Sequence, residues 1–228
     1  MISLRRCWHI IAVLTVCVVV MPGVLSAQDV IAYIGQVGGS VTIARMNPED
    51  ELEATVGMLL VGGDTVSTST GSYASVIFQD DGSRVKLGEN SQLTLNATRD
   101  QKKLKKRMFL DSGGKIWAKV AKKKGADFQV KTPTSVASVK GTEFVLLEDN
   151  YGAWVYVLDG NVNVSRDNYS EDVGAGQYAR TSEDGIETGD IQDGDVPVEP
   201  GPHELIFFFD QNNQGTVLQK ELHIEFER

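Results

Sequence analysis

Cysteine is nearly missing from this chain. Only 2 occur in 228 residues, Cys7 and Cys17, both close to the N-terminus. Histidine is almost as scarce, with 3 copies, of which His203 and His223 lie near the far end. No Gly-X-Ser-X-Gly elbow, His-Glu-X-X-His helix or phosphate-cradling glycine loop occurs, so the common hydrolase, metalloprotease and nucleotide-binding signatures are excluded. Long apolar runs are missing beyond Ala27, which excludes a multi-span membrane protein. A helical stripe is missing as well: no window of 28–185 repeats apolar residues at helical spacing. What is present is ordinary in amount. The 41% hydrophobic content argues against disorder, and 23 glycines are too few for a collagen-like chain. The length fits one large or two small domains.

The N-terminal stretch, 1–27, reads as a secretory signal peptide. Arg5 and Arg6 supply the positive start, 10–21 supplies an apolar stretch, Pro22-Gly23 breaks it, and Leu25-Ser26-Ala27 ends on a small residue. The stretch is shorter than the roughly 20 apolar residues of a spanning helix. Cys17 follows Leu14-Thr15-Val16 and lacks the small residue that precedes a lipidated cysteine. Cleavage after Ala27 would leave a mature chain without a thiol, and hence without a disulfide, a cysteine metal site or a cysteine nucleophile. No transmembrane segment is expected after cleavage, and an exported protein, periplasmic or secreted, is.

From Gln28 onward, turn signals recur at short, regular intervals, among them Gly62-Gly63-Asp64, Asp81-Gly82, Gly113-Gly114 and Asp159-Gly160. Between them, apolar residues alternate: Ala74, Val76 and Phe78; Val85 and Leu87; Leu93 and Leu95; Ile116, Ala118 and Val120; Trp154, Tyr156 and Leu158; Val162 and Val164. Period-two alternation with this punctuation predicts an all-β fold, a short-stranded β-solenoid or a β-sandwich. Asp81-Gly82 and Asp159-Gly160 each read as the turn of a hairpin, glycine supplying the positive φ that such turns need. The β domain is expected over 28–185. An acidic Gly- and Pro-containing linker follows over 186–202, and a C-terminal β-hairpin over 203–228.

The order of these motifs resembles the FecR domain. Gly62-Gly63-Asp64-Thr65-Val66, Ser72-Tyr73-Ala74-Ser75-Val76 and Asp81-Gly82-Ser83 are similar to the body of that family. Phe109-Leu110-Asp111-Ser112-Gly113-Gly114-Lys115, Phe128-Gln129-Val130-Lys131-Thr132-Pro133 and Val139-Lys140-Gly141-Thr142-Glu143-Phe144 are similar to its second half. The resemblance spans about 57–147 and fades toward 185. It implies a non-catalytic, extracytoplasmic β domain of the kind that receives a signal from an outer-membrane receptor. In the best-known members a cytoplasmic sigma-regulating segment and a membrane helix precede that domain. Here the signal peptide takes their place, so a stand-alone exported FecR-like protein is expected. Gly63, Asp64, Asp81, Gly82, Gly141, Thr142 and Phe144 are expected to serve the fold, through close backbone approaches and turns.

Charge is uneven. Between Arg99 and Lys124 there are 11 basic residues against Asp100 and Asp111, while the rest of the mature chain holds 9 basic and 29 acidic residues. Lys102, Lys103, Lys105, Lys106, Arg107, Lys122, Lys123 and Lys124 are therefore candidate contacts for an envelope protein or an anionic envelope polymer, with Trp117 as an anchor. The bland reading is a solvated hairpin that guards a strand edge with lysine. No nucleic-acid motif accompanies the patch.

A second candidate lies near the C-terminus. Asp210, Asn212, Gln214 and Glu221 fall at calcium-loop spacing around Gly215. The flanks alternate as strands do, which favours a hairpin over a metal site. No cofactor is expected. The function expected is binding or signal relay at the cell envelope without catalysis; the other readings are a structural binder of lipopolysaccharide or wall polymer, and a calcium-binding module.

Overall fold

The computed structural model describes residues 29–45, 51–100, 103–122, 127–149 and 151–201, and among them nineteen strands form two sheets. Sheet I runs, edge to edge, through β19 (Gly185–Asp190), β18 (Gln177–Ser182), β15 (Ala153–Asp159), β14 (Glu143–Glu148), β11 (Lys115–Lys119), β7 (Arg84–Leu87), β6 (Tyr73–Phe78), β1 (Val30–Gly38) and β4 (Leu59–Val61). Sheet II runs through β17 (Tyr169–Gly174), β16 (Asn161–Arg166), β13 (Val136–Val139), β12 (Asp127–Lys131), β10 (Lys103–Leu110), β8 (Gln92–Leu95), β5 (Thr65–Thr68), β2 (Val41–Ala44) and β3 (Glu51–Glu53). β9 (Thr98–Asp100) pairs with β10 alone. The one parallel ladder among the described residues joins β10 to β12, because β11 crosses to sheet I between them.

The chain advances along both sheets together, handing strands alternately to one and the other. That march produces the repeat-like punctuation of the sequence, and its product is a β-sandwich. Val85, Leu87, Leu93, Leu95, Ile116, Ala118, Val162 and Val164 enter one continuous core, as their alternation predicts. Phe78 of sheet I meets Phe128 of sheet II edge to face, with ring centroids 6.1 Å apart. On β15 the predicted face is the outer one: Val155 and Val157 fill the core, while Trp154, Tyr156 and Leu158 point away from it. Both faces of that strand are apolar, so alternation alone could not say which was inside.

Two polar ties bridge the sheets at opposite ends of the sandwich. Lys106 on β10 is buried. Its ammonium lies 5.2 Å over the Phe78 ring, pairs with Asp80 at 2.9 Å, and makes a closer contact with Asp81 in the β6–β7 turn. Burial alone would raise the Asp81 carboxyl. Hydrogen bonds from Lys106 and Ser83 outweigh burial and hold it below its usual range. At the other end, Glu148 of β14 is buried and accepts from Thr134 Oγ1 at 3.0 Å, beside the Thr132–Ser135 turn of sheet II. Burial pushes this carboxyl up, with the Asp149 charge adding to the shift.

Two local expectations change in the structure. Asp81-Gly82 does turn β6 into β7, with Asp81 Oδ1 accepting the Ser83 N–H at 2.9 Å. Asp159-Gly160, however, is a crossing between sheets, since β15 belongs to sheet I and β16 to sheet II. Gly160 has φ +85, and a Cβ there would lie 2.8 Å from the Gly141 carbonyl oxygen, so glycine serves a close crossing of backbones. The expected linker, 186–202, begins inside β19, which is hydrogen-bonded to β18. From Ile191 to Gly201 the chain then lies back over sheet I instead of running free. The expected signal peptide (1–27), the hairpin (203–228) and the calcium-loop residues Asp210, Asn212, Gln214 and Glu221 lie outside the described residues. Among the described residues, no helix is long and apolar enough to cross a membrane, and no group of three or more His, Cys, Asp or Glu could hold a metal ion.

Candidate binding site on the outer face of sheet I

Antiparallel register aligns one residue from each of eight strands across the outer face of sheet I. Gln36, Ser75, Lys86, Trp117, Val145, Tyr156, Tyr178 and Gly189 follow one another from β1 to β19. A neighbouring row holds Lys115, Leu147, Trp154 and Arg180. The aromatic side chains therefore meet. Trp154 and Tyr156 stack with planes 7° apart and centroids at 6.1 Å, Tyr178 lies 5.7 Å from Trp154, and the Arg180 guanidinium covers Trp154 at 4.8 Å.

Ile191 to Gly201 crosses this face. Ile191 N–H donates to the Gly176 carbonyl at 2.8 Å, and a turn at 192–195 is closed by Gln192 N–H donating to Asp195 Oδ2 at 2.7 Å. Pro197 then lies on Trp117, whose indole N–H donates to the Pro197 carbonyl at 3.0 Å. Glu199 reaches Lys86 at 2.8 Å, and Gly201 packs on the Tyr73 ring so closely that a Cβ would lie 2.5 Å from it. Lys86 is 2% exposed and Val145 is fully buried, although both face away from the core. Burial, and then the nearby Asp195 carboxylate, push the Tyr156 phenol up. A cleft of about 360 Å³ opens beside this crossing, lined by Arg84, Lys86, Trp117, Lys119, Leu158 and Glu199. A second, of about 420 Å³, opens on its other flank between Tyr73, Lys115 and Val198.

The structure divides the predicted basic patch. β10 carries Lys105 and Arg107 on the outer face of sheet II, where Arg107 bonds Gln129, whereas Trp117 stands on the outer face of sheet I. The turn at 111–114 moves the chain from one sheet to the other, so nearness in sequence became opposition in space. Trp117 does not stand with those lysines. Lys106 is no surface contact at all, because strand alternation turns it inward, between the exposed Arg107 and the half-buried Lys105. Lys122 is exposed and pairs with Asp159 at 3.0 Å at one end of the sandwich. Lys103 lies on β10; Lys102, Lys123 and Lys124 lie outside the described residues.

The motif residues build turns and core. Asp64 is fully buried and accepts the Val61 N–H at 2.9 Å, with Gly63 at φ +100 before it. Gly82 turns the β6–β7 hairpin at φ +71. Gly141 leaves no room for a Cβ beside Lys122, Thr142 Oγ1 donates to the Asn161 carbonyl at 2.8 Å, and Phe144 lies in the core. Sequence reasoning missed Lys86, Tyr178 and Arg180. Their shared signal is positional: each stands one residue from a core apolar residue on its strand.

Comparison with known proteins bears on this frame. The family model described as FecR protein matches residues 64–163, which takes in β5 through the start of β16. Lys86, Trp117, Trp154 and Tyr156 fall within it; Tyr178, Arg180 and the crossing segment fall outside. Two crystal structures described as a "putative anti-sigma factor" from Parabacteroides distasonis are similar at 17% identity and a TM-score of 0.49. In each case 55% of this chain and 59% of the other are covered, so the chain spans a little over half the length of those proteins. No curated protein matches the chain.

Proposed function

We propose that this chain, whose residues 64–163 match the FecR family, is an exported, non-catalytic protein that recognises a partner at the cell envelope and relays a signal through that contact. The observation that carries the recognition surface is the joined aromatic and basic outer face of sheet I. Trp154 and Tyr178 with Arg180, stacked around the buried Tyr156, form an outer cluster that the core does not use, since the core is filled from the opposite face. Aromatic side chains and arginine are the residues that anchor most interfaces. The signal-peptide pattern supports export, and the scarcity of histidine and cysteine supports binding over catalysis.

The test is co-sedimentation of the mature chain with isolated envelope material across a salt series. A Trp154→Ala/Arg180→Ala variant is expected to lose most of the recovery at every salt concentration. A second reading, recognition of an anionic envelope polymer, is favoured by Lys105, Arg107 and Lys131 on the outer face of sheet II. In that case Lys105→Gln/Arg107→Gln would abolish recovery, and native binding would fall steeply with salt. Recovery unchanged in both variants would overturn both readings.

A further inference from the structure

The face to which recognition is assigned is already occupied in part by the chain itself, and the manner of occupation describes a ligand. From Asp190 on β19 to Gly201 beside β6 the segment spans six strand spacings, roughly 29 Å at about 4.8 Å each. Eleven residues reach about 36–40 Å when fully extended. The strap is therefore close to taut, with its slack taken up by the turn at 192–195. Pro197 and Pro200 hold it extended and give it no N–H to pair at those positions. It adds no strand to sheet I; past the Ile191–Gly176 backbone hydrogen bond it crosses the strands and is held by the Trp117 and Lys86 side chains.

Three observations show that this occupant is an incomplete complement. First, Lys86 is a buried cation paired with the half-exposed Glu199, so the pocket is built to seat a carboxylate. Second, Ser75, next to Lys86 in register and fully buried, leaves its Oγ without a hydrogen-bond partner, so a polar group beside the Lys86 pocket is unfilled. Third, clefts of about 360 and 420 Å³ flank the strap, and its Val198 is 84% exposed. The charges complement each other. Residues 190–201 contain Asp190, Asp193, Asp195 and Glu199 and no basic residue, whereas outside the strap the clefts are lined by Arg84, Lys86, Lys115 and Lys119 against two acids, Glu89 and Glu143, the latter paired with Lys119 at 3.0 Å.

We propose that the strap, 191–201, is an internal stand-in for an extended acidic segment of a partner protein, and that the Lys86–Trp117 cleft receives that segment when the strap lifts. The proposal rests on the reading of sheet I as the recognition face and names the chemistry of its partner. A carboxylate takes the place of Glu199 on Lys86, a backbone carbonyl accepts from the Trp117 indole, and apolar side chains enter the flanking clefts. The tethered strap competes at the effective concentration of a short linker, on the order of millimolar, so the native chain is held in a low-affinity state.

The test uses the whole mature chain and a labelled peptide with the sequence of 190–201. Glu199→Lys sets a like charge against Lys86 and is expected to raise hydrogen exchange across 191–201. This variant should bind the added peptide at least tenfold more tightly than the native chain does. A peptide with Gln in place of its glutamate should bind at least tenfold more weakly. Trp117→Phe, added to the released variant, keeps the ring, removes the indole donor and should weaken binding several-fold. Unchanged exchange in Glu199→Lys would show that the contact does not hold the strap, and would overturn the proposal. Released exchange without peptide binding would overturn it too. A concentration-dependent dimer of the released variant would assign the cleft to the strap of a second copy in place of a partner protein. If the peptide fails while Trp154→Ala/Arg180→Ala still abolishes envelope recovery, the acidic-segment chemistry is wrong and the recognition face stands. If both fail, the reading beneath it falls as well.

Discussion

The two outer faces of the sandwich solve the same problem differently. On sheet II the outward side chains are finished by one another: Thr65 with Thr94 at 2.8 Å, Gln129 with Ser138 at 3.2 Å and Asn163 with Asp172 at 2.8 Å. On sheet I the outward row is aromatic and basic and is finished by a separate stretch of chain, through Pro197 and Glu199. A self-paired polar face needs no cover and presents little to grip. An aromatic face with a buried cation needs a cover, and a cover that beyond Ile191 is held by side chains can be exchanged.

The largest expected effect breaks the contrast between a face and the interior behind it. Lys106→Ala would strand the carboxylates of Asp80 and Asp81 without their buried cation, and should cost about 3–5 kcal/mol in denaturant unfolding. Lys105→Ala, one residue away on the outer face of sheet II, should stay within about 0.5 kcal/mol. Next comes Gly152→Ala at the edge of β15, where a Cβ would lie 1.8 Å from the Thr181 carbonyl oxygen. It should lower stability by about 1–3 kcal/mol and, by shifting β15 against β18, disturb the Trp154–Tyr178 contact in near-UV circular dichroism.

The two buried carboxylates at opposite ends of the sandwich should respond to pH with opposite sign. Asp81 is held below its ordinary value of 3.8, so its contribution is present above that pH and is lost as pH falls through the lower folded value. Asp81→Asn should therefore lower the melting temperature at pH 7, and the difference should vanish only in stronger acid. Glu148 is raised above its ordinary value of 4.5, so the stability it contributes is present below that pH and is lost as pH rises through the raised folded value. Glu148→Gln should raise the melting temperature at pH 7 and leave it unchanged in acid below the ordinary carboxylate value. The smallest effect sharpens the contrast between the faces. Trp117→Phe removes one hydrogen bond to the strap, worth about 0.5–1.5 kcal/mol, and should raise hydrogen exchange at 196–199 while leaving the ladders of sheet II unchanged.

The all-β class, most of the core and the β6–β7 hairpin were legible because alternation and Asp-Gly turns are local signals. The assignment of strands to sheets was not. Asp81-Gly82 and Asp159-Gly160 carry the same dipeptide, yet one closes a hairpin and the other crosses the sandwich, and only the pairing partners decide. The basic patch dispersed for the same reason. Lys106 and Arg107 are neighbours in sequence, but one lies in the core and the other in solvent, and Trp117 ended on the opposite side of the molecule. The acidic composition of 186–202 read as solvated linker because its partners, Lys86 and Trp117, lie far upstream in the chain. The aromatic outer row of sheet I was legible only as scattered aromatics, since its unity comes from register across eight strands.

The steady march of the chain along both sheets has a kinetic consequence. Hairpins such as β6–β7, β14–β15, β16–β17 and β18–β19 close over short sequence separations, and each adds to strands already laid down. These hairpins close over shorter loops than a topology that pairs its two termini would need, which favours faster folding. Growth can proceed from the N-terminal end, one double layer at a time, in the order in which the chain is synthesised. The segment that seals sheet I is the last of the described residues to emerge, so the surface beneath it is complete, and open, before its cover arrives.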